Sequence, residues 1–309
     1  MRADKKRKKG KNWLKITGII VLLLVIGAGV YAYSIFHSLT NAVDTMHQPI
    51  EREKSEKRPE GITLNQQDPF SVLLLGVDER KGDRGRSDTM IVLTVNPSQN
   101  SIKMLSIPRD TRTEIVGRGK EDKINHAYAF GGEEMSMNTV EHLLDIPIDY
   151  YVRVNMEGFK DIVDAVGGIQ VNNKLEFSND GHRFTTGPIN LNGNQALSFV
   201  RMRYDDPRGD FGRQERQRQV ISGVIDRGAS FSSLTKFGDI FAALGKNVRT
   251  NLTFDEMYDI QKNYKGAIGS IDQLQMTGQG TKIGGVYYQI VSDDELQKVQ
   301  DELKSHLEI

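Results

Sequence analysis

The 309-residue chain carries 41 Lys or Arg and 41 Asp or Glu, so its formal net charge at pH 7 is zero. The charge is unevenly placed, because eight of the first 15 residues are basic and only Asp4 is acidic, which leaves an acidic remainder. This distribution argues against a uniformly basic nucleic-acid-binding protein. With 38% hydrophobic residues and no Cys, the composition excludes global disorder, a disulfide framework and a cysteine nucleophile.

A run of 20 residues without a charge begins at Ile16, and about 20 helical residues cross the hydrocarbon core of a bilayer. A cleaved signal peptide is the alternative, but its apolar region usually has about 7 to 15 residues. Basic residues that precede a span stay in the cytoplasm. We therefore predict a cytoplasmic basic tail at 1–15, a retained transmembrane signal-anchor helix at 16–36 and an extracytoplasmic body. This is the topology of a single-pass type II protein of the cell membrane.

The polar segment 37–67 contains a mixed-charge stretch at 51–58 and two Pro residues, and this composition predicts an extracytoplasmic stalk. The remainder, 68–309, is predicted to form one α/β domain, an α/β/α sandwich around a central mixed sheet, because strand and helix patterns interleave along it. Strands are predicted at 70–77, 89–95, 102–107, 149–155, 272–277 and 285–290. Helices are predicted near 133–144, 156–166, 194–200, 212–227 and 253–266, with helix starts marked by capping-box spacing at Thr253 and Ser292.

Two carboxylates flank the loop between the first two predicted strands. Asp78 follows the strand at 70–77, and Asp88 stands at the start of the next strand. One interpretation is purely structural, with Asp78 capping a turn and Asp88 starting a strand. If the two strand ends meet, however, the carboxylates converge, and Mg²⁺ prefers such oxygen ligands together with waters and substrate phosphates. We therefore expect a metal site for Mg²⁺, or Mn²⁺, at Asp78 and Asp88.

Arginines follow the third predicted strand and recur farther along the chain. Arg109 and Arg112 stand just after that strand, on the side where α/β sheets tend to place ligands. Segment 201–218 contains six Arg and no Lys, and the planar guanidinium suits bidentate capture of phosphate oxygens. An exposed helix with Arg–Glu pairs is the alternative. Nucleic acid is a weaker expectation, because the cluster lies in the predicted exported body without a base-reading motif.

Five ordered motifs resemble the LytR-CpsA-Psr family over roughly residues 70 to 230. They are LLGVD at 74–78, RSDTM at 86–90, SIPRDT at 106–111, KINHAY at 123–128 with a following Gly-Gly, and RQERQ at 213–217. The resemblance implies an α/β/α sandwich with a pocket for a polyprenyl tail. It also implies an enzyme on the outer face of the membrane, mostly in Gram-positive bacteria, that moves anionic glycopolymers such as wall teichoic acid from an undecaprenyl-pyrophosphate carrier onto peptidoglycan.

The same resemblance assigns roles to individual residues. Asp78 and Asp88 match the metal-associated carboxylates of the family. The residues that match its pyrophosphate-binding set are Arg86, Arg109, Arg201, Arg203, Arg213 and Gln217. We add Arg112 to this set because, like Arg109, it follows the third predicted strand. We expect Arg109 and Arg213 to act in catalysis by neutralising charge on the phosphates. Asp88 is expected to accept the proton of the incoming hydroxyl if it is not fully committed to the metal.

The expected function is therefore phosphotransfer that links a glycopolymer to a peptidoglycan sugar hydroxyl through a phosphodiester. The expected partners are the undecaprenyl-pyrophosphate-linked glycopolymer, peptidoglycan, the lipid bilayer and the cell-wall synthesis machinery, but not nucleic acid. Two other functions stay open: a metal-dependent polyprenyl-pyrophosphate hydrolase, and a non-enzymatic wall-binding or regulatory protein that attenuates transcription. A polyprenyl donor also predicts an apolar cavity inside the domain, because its first isoprene units must leave the membrane.

Overall fold

A mixed β-sheet with helices on both faces forms the body of the protein. The computed structural model describes residues 37–309 except 38–39, 42, 53, 79–84, 230–243 and 246. The strands are β1 (Phe70–Val77), β2 (Ser87–Asn96), β3 (Ser101–Ser106), β4 (Arg112–Ile115), β5 (Lys120–Lys123), β6 (Tyr150–Asn155), β7 (Ile169–Asn173), β8 (Phe177–Asn179), β9 (His182–Phe184), β10 (Gly187–Leu191), β11 (Val248–Thr250), β12 (Ser270–Gln275), β13 (Gln279–Ile283) and β14 (Val286–Ile290). The helices are α1 (His126–Leu144), α2 (Met156–Ala165), α3 (Gly193–Arg201), α4 (Asp210–Ala229), α5 (Phe254–Asn263) and α6 (Asp293–Leu307), with 3₁₀ turns at Leu64–Gln66 and Lys265–Gly269.

The central sheet has the strand order β11-β6-β1-β2-β3-β12. Strands β1 and β6 pair in parallel, as do β3 and β12, whereas β2 runs antiparallel to both β1 and β3. The carboxyl ends of β1, β3, β6 and β12 therefore lie at one edge of the sheet, together with the amino end of β2. We call this edge the site edge, because the predicted Asp and Arg residues follow these strands.

The two faces of the sheet pack against different helices. Alternate residues of β1 divide between them, since side chains along a strand point to opposite faces. Leu73 and Leu75 are buried against α1 and α6, while Val72 is buried on the face that also receives Ile221 of α4 and Ile260 of α5. Helices cover both faces, so the predicted mixed α/β architecture with a central mixed sheet is confirmed.

A smaller layer built from α2, α3 and the short strands β7 to β10 joins the α4 face. Its buried cluster includes Val163 of α2, Phe199 of α3 and Val220 of α4. Helix α4 therefore contacts both the central sheet and this layer. The space between them becomes the candidate site described below.

The first three predicted strands and the helix start at Thr253 are confirmed. Thr253 and Glu256 form the reciprocal capping box that their spacing predicts. Ser292 also caps its helix, but the carboxylate of Glu295 instead accepts hydrogen bonds from the backbone and hydroxyl of Thr277, at 2.9 and 2.7 Å. The helix predicted near 133–144 is the part of α1 that follows a kink at Gly132, where φ is 68°. The part of α1 before the kink, which begins at His126, was not predicted.

The described part of segment 37–67 lies against the body. Val43 and Met46 are buried in a small apolar cluster with Val248 of β11. Arg58 donates two hydrogen bonds to the carboxylate of Asp149, at 2.6 and 2.9 Å. Charges in the segment predicted as a stalk are therefore used in ion pairs with the domain.

The predicted basic tail and transmembrane helix, residues 1–36, lie outside the described residues. Within the described ranges, no helix is both long and apolar enough to cross a membrane.

Helix α6 is held to the sheet by a buried histidine. The His306 side chain is 1% exposed, and its two ring nitrogens lie 2.7 Å from the Thr94 hydroxyl and 2.9 Å from the Ser101 hydroxyl. Burial, with the positive charge of Lys103 as a smaller cause, lowers the pKa of His306 below its ordinary value. The folded protein therefore binds this proton less readily than the unfolded chain does.

This shift predicts a pH-dependent stability with a definite sign. The contribution of His306 is fully present above about pH 6.5, the ordinary His value, and is lost as the pH falls below it, at up to about 1.4 kcal/mol per pH unit. We expect the free energy of unfolding to fall less between pH 7.5 and 5 in His306→Gln than in the wild type. Urea unfolding followed by circular dichroism at both pH values checks this, and equal falls in the two proteins would contradict it.

Candidate functional site

The two predicted carboxylates converge at the site edge. Asp78 follows β1 directly, and Asp88 is the second residue of β2. These strands are antiparallel neighbours, and a bulge at Gly76 and Val77 shifts their register just before Asp78. Both Asp residues line the same cavity. The expected convergence of the two strand ends is therefore confirmed.

The end of β1 needs a residue without a side chain. A Cβ added at Gly76 would lie 2.9 Å from Cβ of Thr89, which is the residue opposite it on β2. Thr89 in turn accepts a hydrogen bond of 2.8 Å on its hydroxyl from Nε2 of Gln217, on α4. Gly76 thus leaves room for the contact that links the sheet to α4 at the site edge.

Arg109 reaches from the segment after β3 to the carboxylate at the start of β2. Its Nη1 donates a hydrogen bond of 2.5 Å to Oδ1 of Asp88. Burial disfavours the charged guanidinium, but the hydrogen bond and charge of Asp88, with the charges of Asp110 and Asp210, outweigh it and raise the pKa of Arg109. Arg109 is therefore a fixed cation at the site edge.

Arg213, in the first turn of α4, is the second cation here. Its Nη2 lies 2.6 Å from Oδ1 of Asp210 and 3.5 Å from the Asp88 carbonyl oxygen. Burial lowers its pKa, and the nearby charges of Arg109 and Arg203 lower it further. Its Nε is buried and has no hydrogen-bond partner among the described residues. A buried donor beside two like charges is a good partner for an anionic oxygen.

The other predicted pyrophosphate ligands lie around this pair to different extents. Arg201, at the end of α3, and Gln217 line the cavity together with Arg213. Arg203 and Arg86 are exposed. Arg112 forms an ion pair of 2.5 Å with Glu121 across the β4–β5 hairpin. Arg112 is outside the described lining of the cavity.

Four of the six arginines of segment 201–218 divide into a cavity-lining pair and a buried structural pair. Arg216 is 3% exposed, and it donates 2.6 and 2.5 Å hydrogen bonds to the Asp206 carboxylate and the Met202 carbonyl. Arg218 is 4% exposed and donates to the Ser106 hydroxyl at 2.8 Å. These two guanidinium groups hold the α3–α4 connection and α4 in place, whereas Arg201 and Arg213 line the cavity.

An apolar cavity of about 600 Å³ lies between the sheet and the helices α2, α3 and α4. Its apolar lining comes from Leu74, Leu93, Val152, Val154, Phe159, Ile162, Leu197, Val200, Val220, Ile221, Val224 and Ile225. Its polar lining includes Asp78, Asp88, Arg201, Arg213 and Gln217. The apolar cavity predicted from the sequence is therefore present, and its volume is that of a typical small-molecule site.

Sequence reasoning missed two residues that shape the charged end. Thr89 anchors Gln217, and Asp210 pairs with Arg213. Asp210 carries a signal that could have found it, because an acidic residue in the first turn of a helix is favoured by the helix dipole. Thr89 carries no such signal, since its partner is 128 residues away.

The family model described as LytR_cpsA_psr matches residues 33–305 of the chain. The chain belongs to the LytR-CpsA-Psr family. It is 55% identical, over 98% of its own length and 99% of the relative, to "Polyisoprenyl-teichoic acid--peptidoglycan teichoic acid transferase TagU" of Bacillus cereus (strain ATCC 14579).

Solved structures of the LytR-CpsA-Psr family share the fold. One is "TagT bound to LIIa-WTA", with a TM-score of 0.75 and 34% identity, covering 85% of this chain and 100% of the other. Another is the family protein YwtF (TagT) with bound octaprenyl pyrophosphate lipid, with a TM-score of 0.70 and 32% identity over the same shares. These likenesses agree with the mixed sheet and the helices described above.

The structural role of Arg216 predicts that loss of its partner Asp206 lowers the free energy of unfolding. The Asp206 side chain is fully buried against Arg216, so Asp206→Ala leaves a buried charge unpaired. We expect the free energy of unfolding to fall by about 3 to 5 kcal/mol. The control is Arg183→Ala, which breaks the exposed pair with Glu176 and should cost at most about 1 kcal/mol. Urea unfolding of both variants measures the difference, and similar losses would refute the structural role of Asp206.

Proposed function

We propose that this protein is a membrane-anchored phosphotransferase that moves an anionic glycopolymer, such as wall teichoic acid, from undecaprenyl pyrophosphate to a peptidoglycan sugar hydroxyl. The supporting observation is one cavity that is apolar along its length and carries arginine and aspartate side chains where the strands end. The apolar lining matches the hydrocarbon chain of a lipid pyrophosphate, and the arginines match its charged phosphates. The family relatives are named for teichoic acid transfer, and one solved relative holds octaprenyl pyrophosphate.

The donor fits this cavity in a single orientation. The polyprenyl chain lies among the apolar side chains of α2, α3 and α4, because burial of its hydrocarbon is favourable by about 25 cal/mol per Å². The pyrophosphate then lies at Arg201 and Arg213, which line the cavity. Arg109 and Arg203 are close enough to affect the charge of Arg213, and Arg86 is exposed. The buried, unpartnered Nε of Arg213 is a donor available for a phosphate oxygen.

The reaction exchanges one phosphorus–oxygen bond for another. The acceptor hydroxyl forms a bond to the phosphorus atom that carries the glycopolymer, and the bond from that phosphorus to the bridging oxygen breaks. Polyprenyl phosphate leaves with the bonding electrons, and the hydroxyl proton passes to a base. Arg109 and Arg213 counter the negative charge that would otherwise repel the acceptor and that grows on the leaving phosphate.

Asp88 is our proposal for the base. Its side chain is 37% exposed, so solvent or substrate can approach it. The hydrogen bond from Arg109 to Oδ1 fixes the carboxylate and leaves Oδ2 to face other groups. A carboxylate held in this way can accept the hydroxyl proton during attack.

The residues present fit a magnesium ion as the second charge-neutralising group. No group of three or more acidic or histidine side chains that could hold a metal occurs among the described residues. Mg²⁺, however, is commonly bound by only one or two carboxylates together with substrate phosphates. Asp78 and Asp88 can supply the two carboxylates, and the donor pyrophosphate can supply the phosphates. When bound, the ion would neutralise phosphate charge.

Residues 16–36 provide the membrane anchor in this proposal, with the basic tail in the cytoplasm and the catalytic domain outside. The support is the uncharged run that starts at Ile16 behind a strongly basic tail. A single anchor keeps the domain next to a donor that never leaves the bilayer. The effective donor concentration is thereby raised without any additional contact.

Substitution of Arg109 and Arg213 by Lys tests the proposed phosphate clamp. Arg109→Lys and Arg213→Lys keep the charge but lose the planar fork, and each lost charge-assisted bond is worth about 1.5 to 3 kcal/mol. We expect transfer of a lipid-pyrophosphate-linked saccharide to a peptidoglycan oligomer to fall about 10- to 150-fold in each variant.

Arg183→Lys, on an exposed ion pair, serves as the control and should transfer at the wild-type rate. Near-normal transfer by folded Arg109→Lys and Arg213→Lys would refute the clamp. Release of the saccharide phosphate to water, with no product on the oligomer, would identify the protein as a hydrolase instead.

Removal of the carboxylates tests the metal. Asp78→Ala should lower the rate and weaken its dependence on Mg²⁺ concentration, because one of the two proposed ligands is gone. Asp88→Ala should do the same and in addition flatten the acidic limb of the pH–rate profile, because the proposed base is also lost. Rates titrated with MgCl₂ after chelation measure both effects. A wild-type Mg²⁺ response in Asp78→Ala would remove the metal from this site.

A further inference from the structure

The chain that follows the predicted anchor is packed against one edge of the central sheet. We call residues 43–52 the docked segment, and its first residues, 43–46, are helical. Val43 and Met46 are 1 and 2% exposed, and they pack in one cluster with Val248 of β11. The apolar side of this helical turn is therefore fixed to the domain.

Polar contacts continue the attachment beyond the helical turn. The backbone N–H of Gln48 donates a 2.7 Å hydrogen bond to the carbonyl oxygen of Thr250, at the end of β11. Arg52 donates to the carboxylate of Glu141, on α1, and to the carbonyl oxygen of Ile148, both at 2.5 Å. The Arg52 and Glu141 side chains are only 16 and 8% exposed. The docked segment is thus held along its whole length.

The docked segment also shares side-chain contacts with the apolar cavity. The cluster that buries Val43 and Met46 also receives Val152 and Val154 of β6 and Ile162 of α2. These three side chains are part of the apolar lining of the cavity. The same side chains therefore connect the docked segment to the space proposed for the polyprenyl chain.

The length of chain ahead of the docked segment limits its distance from the bilayer. Met46 stands ten residues after residue 36, where the predicted anchor ends, and ten extended residues reach at most about 35 Å. A domain of about 240 residues has a radius of gyration of about 18 Å and hence a diameter of about 45 Å. Met46 therefore cannot lie on the side of the domain that is turned away from the bilayer.

We propose that the docked segment holds the β11 side of the domain toward the bilayer, with the apolar cavity next to the hydrocarbon from which the donor comes. This inference rests on the membrane anchor of the proposed function, but it requires no step of the reaction. A free tether would let the domain rotate and turn its cavity away from the bilayer. Docking removes that freedom and raises the effective concentration of the donor at the cavity.

The absence of Cys from the chain permits a direct measurement of this orientation. Asp255→Cys and Asp272→Cys place a fluorophore at two exposed positions, one on α5 and one on β12. Helix α5 contributes Phe254 and Met257 to the cluster of the docked segment, whereas β12 is the opposite edge of the sheet. At about 4.8 Å per strand, the two edges are about 24 Å apart.

Each labelled full chain is reconstituted into vesicles that contain a lipid with a nitroxide headgroup, without donor or acceptor. We expect the label at residue 255 to be quenched about 2-fold more than the label at residue 272, because the first position lies about 24 Å closer to the bilayer. Equal quenching of the two labels in the wild type would overturn the proposal. Absence of quenching at both would remove the anchor, and the proposal with it.

Two variants release the domain in different ways. Val43→Asp/Met46→Asp places charges in the buried cluster and undocks the segment. A 20-residue Gly-Ser insertion after His37 leaves the domain unchanged and lengthens the tether by about 25 Å on average. Both should abolish the difference between the labels. The matched control, Asn41→Asp/Thr45→Asp, adds the same charges at exposed positions of the same helical segment and should keep the difference.

The insertion variant decides the result even if the undocked variant fails to fold, which circular dichroism reveals. A quenching difference that survives the insertion would show that the short docked connection does not orient the domain, and it would overturn the proposal.

A transfer assay separates the orientation from the proposed function. With an undecaprenyl donor in vesicles, folded Val43→Asp/Met46→Asp should transfer about 10-fold more slowly than the control, because the effective donor concentration falls. A short-chain, water-soluble donor should serve both variants equally. Equal slowing with both donors would contradict the orientation role. Unequal quenching in a wild type that transfers from neither donor would refute the phosphotransferase and leave the orientation in place.

Discussion

Mutual repulsion among arginines is the constraint on which the site edge depends. The Arg213 side chain is only 12% exposed, and the charges of Arg109 and Arg203 oppose its own. Without counter-charges the fold would separate these groups or leave them in solvent. Asp88 holds Arg109, and Asp210 holds Arg213, so the cations stay together before any anion arrives. In the proposed reaction, an incoming phosphate meets donors that are already oriented, which lowers the reorganisation that the reaction requires.

Buried polar contacts next to the cavity-lining arginines hold the connection between α3 and α4. Arg216 ties Asp206 to the Met202 carbonyl, and Asp206 fits so closely against Gly212 that a Cβ there would overlap its carboxylate. The connection between α3 and α4 is therefore locked by buried polar contacts. Because Arg201 ends α3 and Arg213 lies in the first turn of α4, these contacts help to set the separation between the two guanidinium groups.

Sequence reasoning predicted five of the six strands of the central sheet and the charged residues at their ends, since short apolar runs and residues at strand ends are local signals. It could not divide the six arginines of segment 201–218, because Arg216 and Arg218 are distinguished only by buried partners that the fold brings to them. The charged strand Lys120–Lys123 was missed for a related reason, as its pairing with Arg112–Ile115 leaves no apolar alternation to detect. The polar segment 37–67 likewise reads as a stalk until its ion pairs with the domain are known.

The antiparallel pairing of β1 and β2 makes the positions of Asp78 and Asp88 independent of the loop that connects the two strands. The hydrogen-bonded ladder sets where Asp78 and Asp88 stand, with Val77 opposite Ser87 as the last pair. Residues inserted or removed between them need not shift either carboxylate, because closing a longer loop adds little free energy. The length and composition of the connection can therefore change during evolution while Asp78 and Asp88, the proposed metal-binding and proton-accepting residues, keep their places.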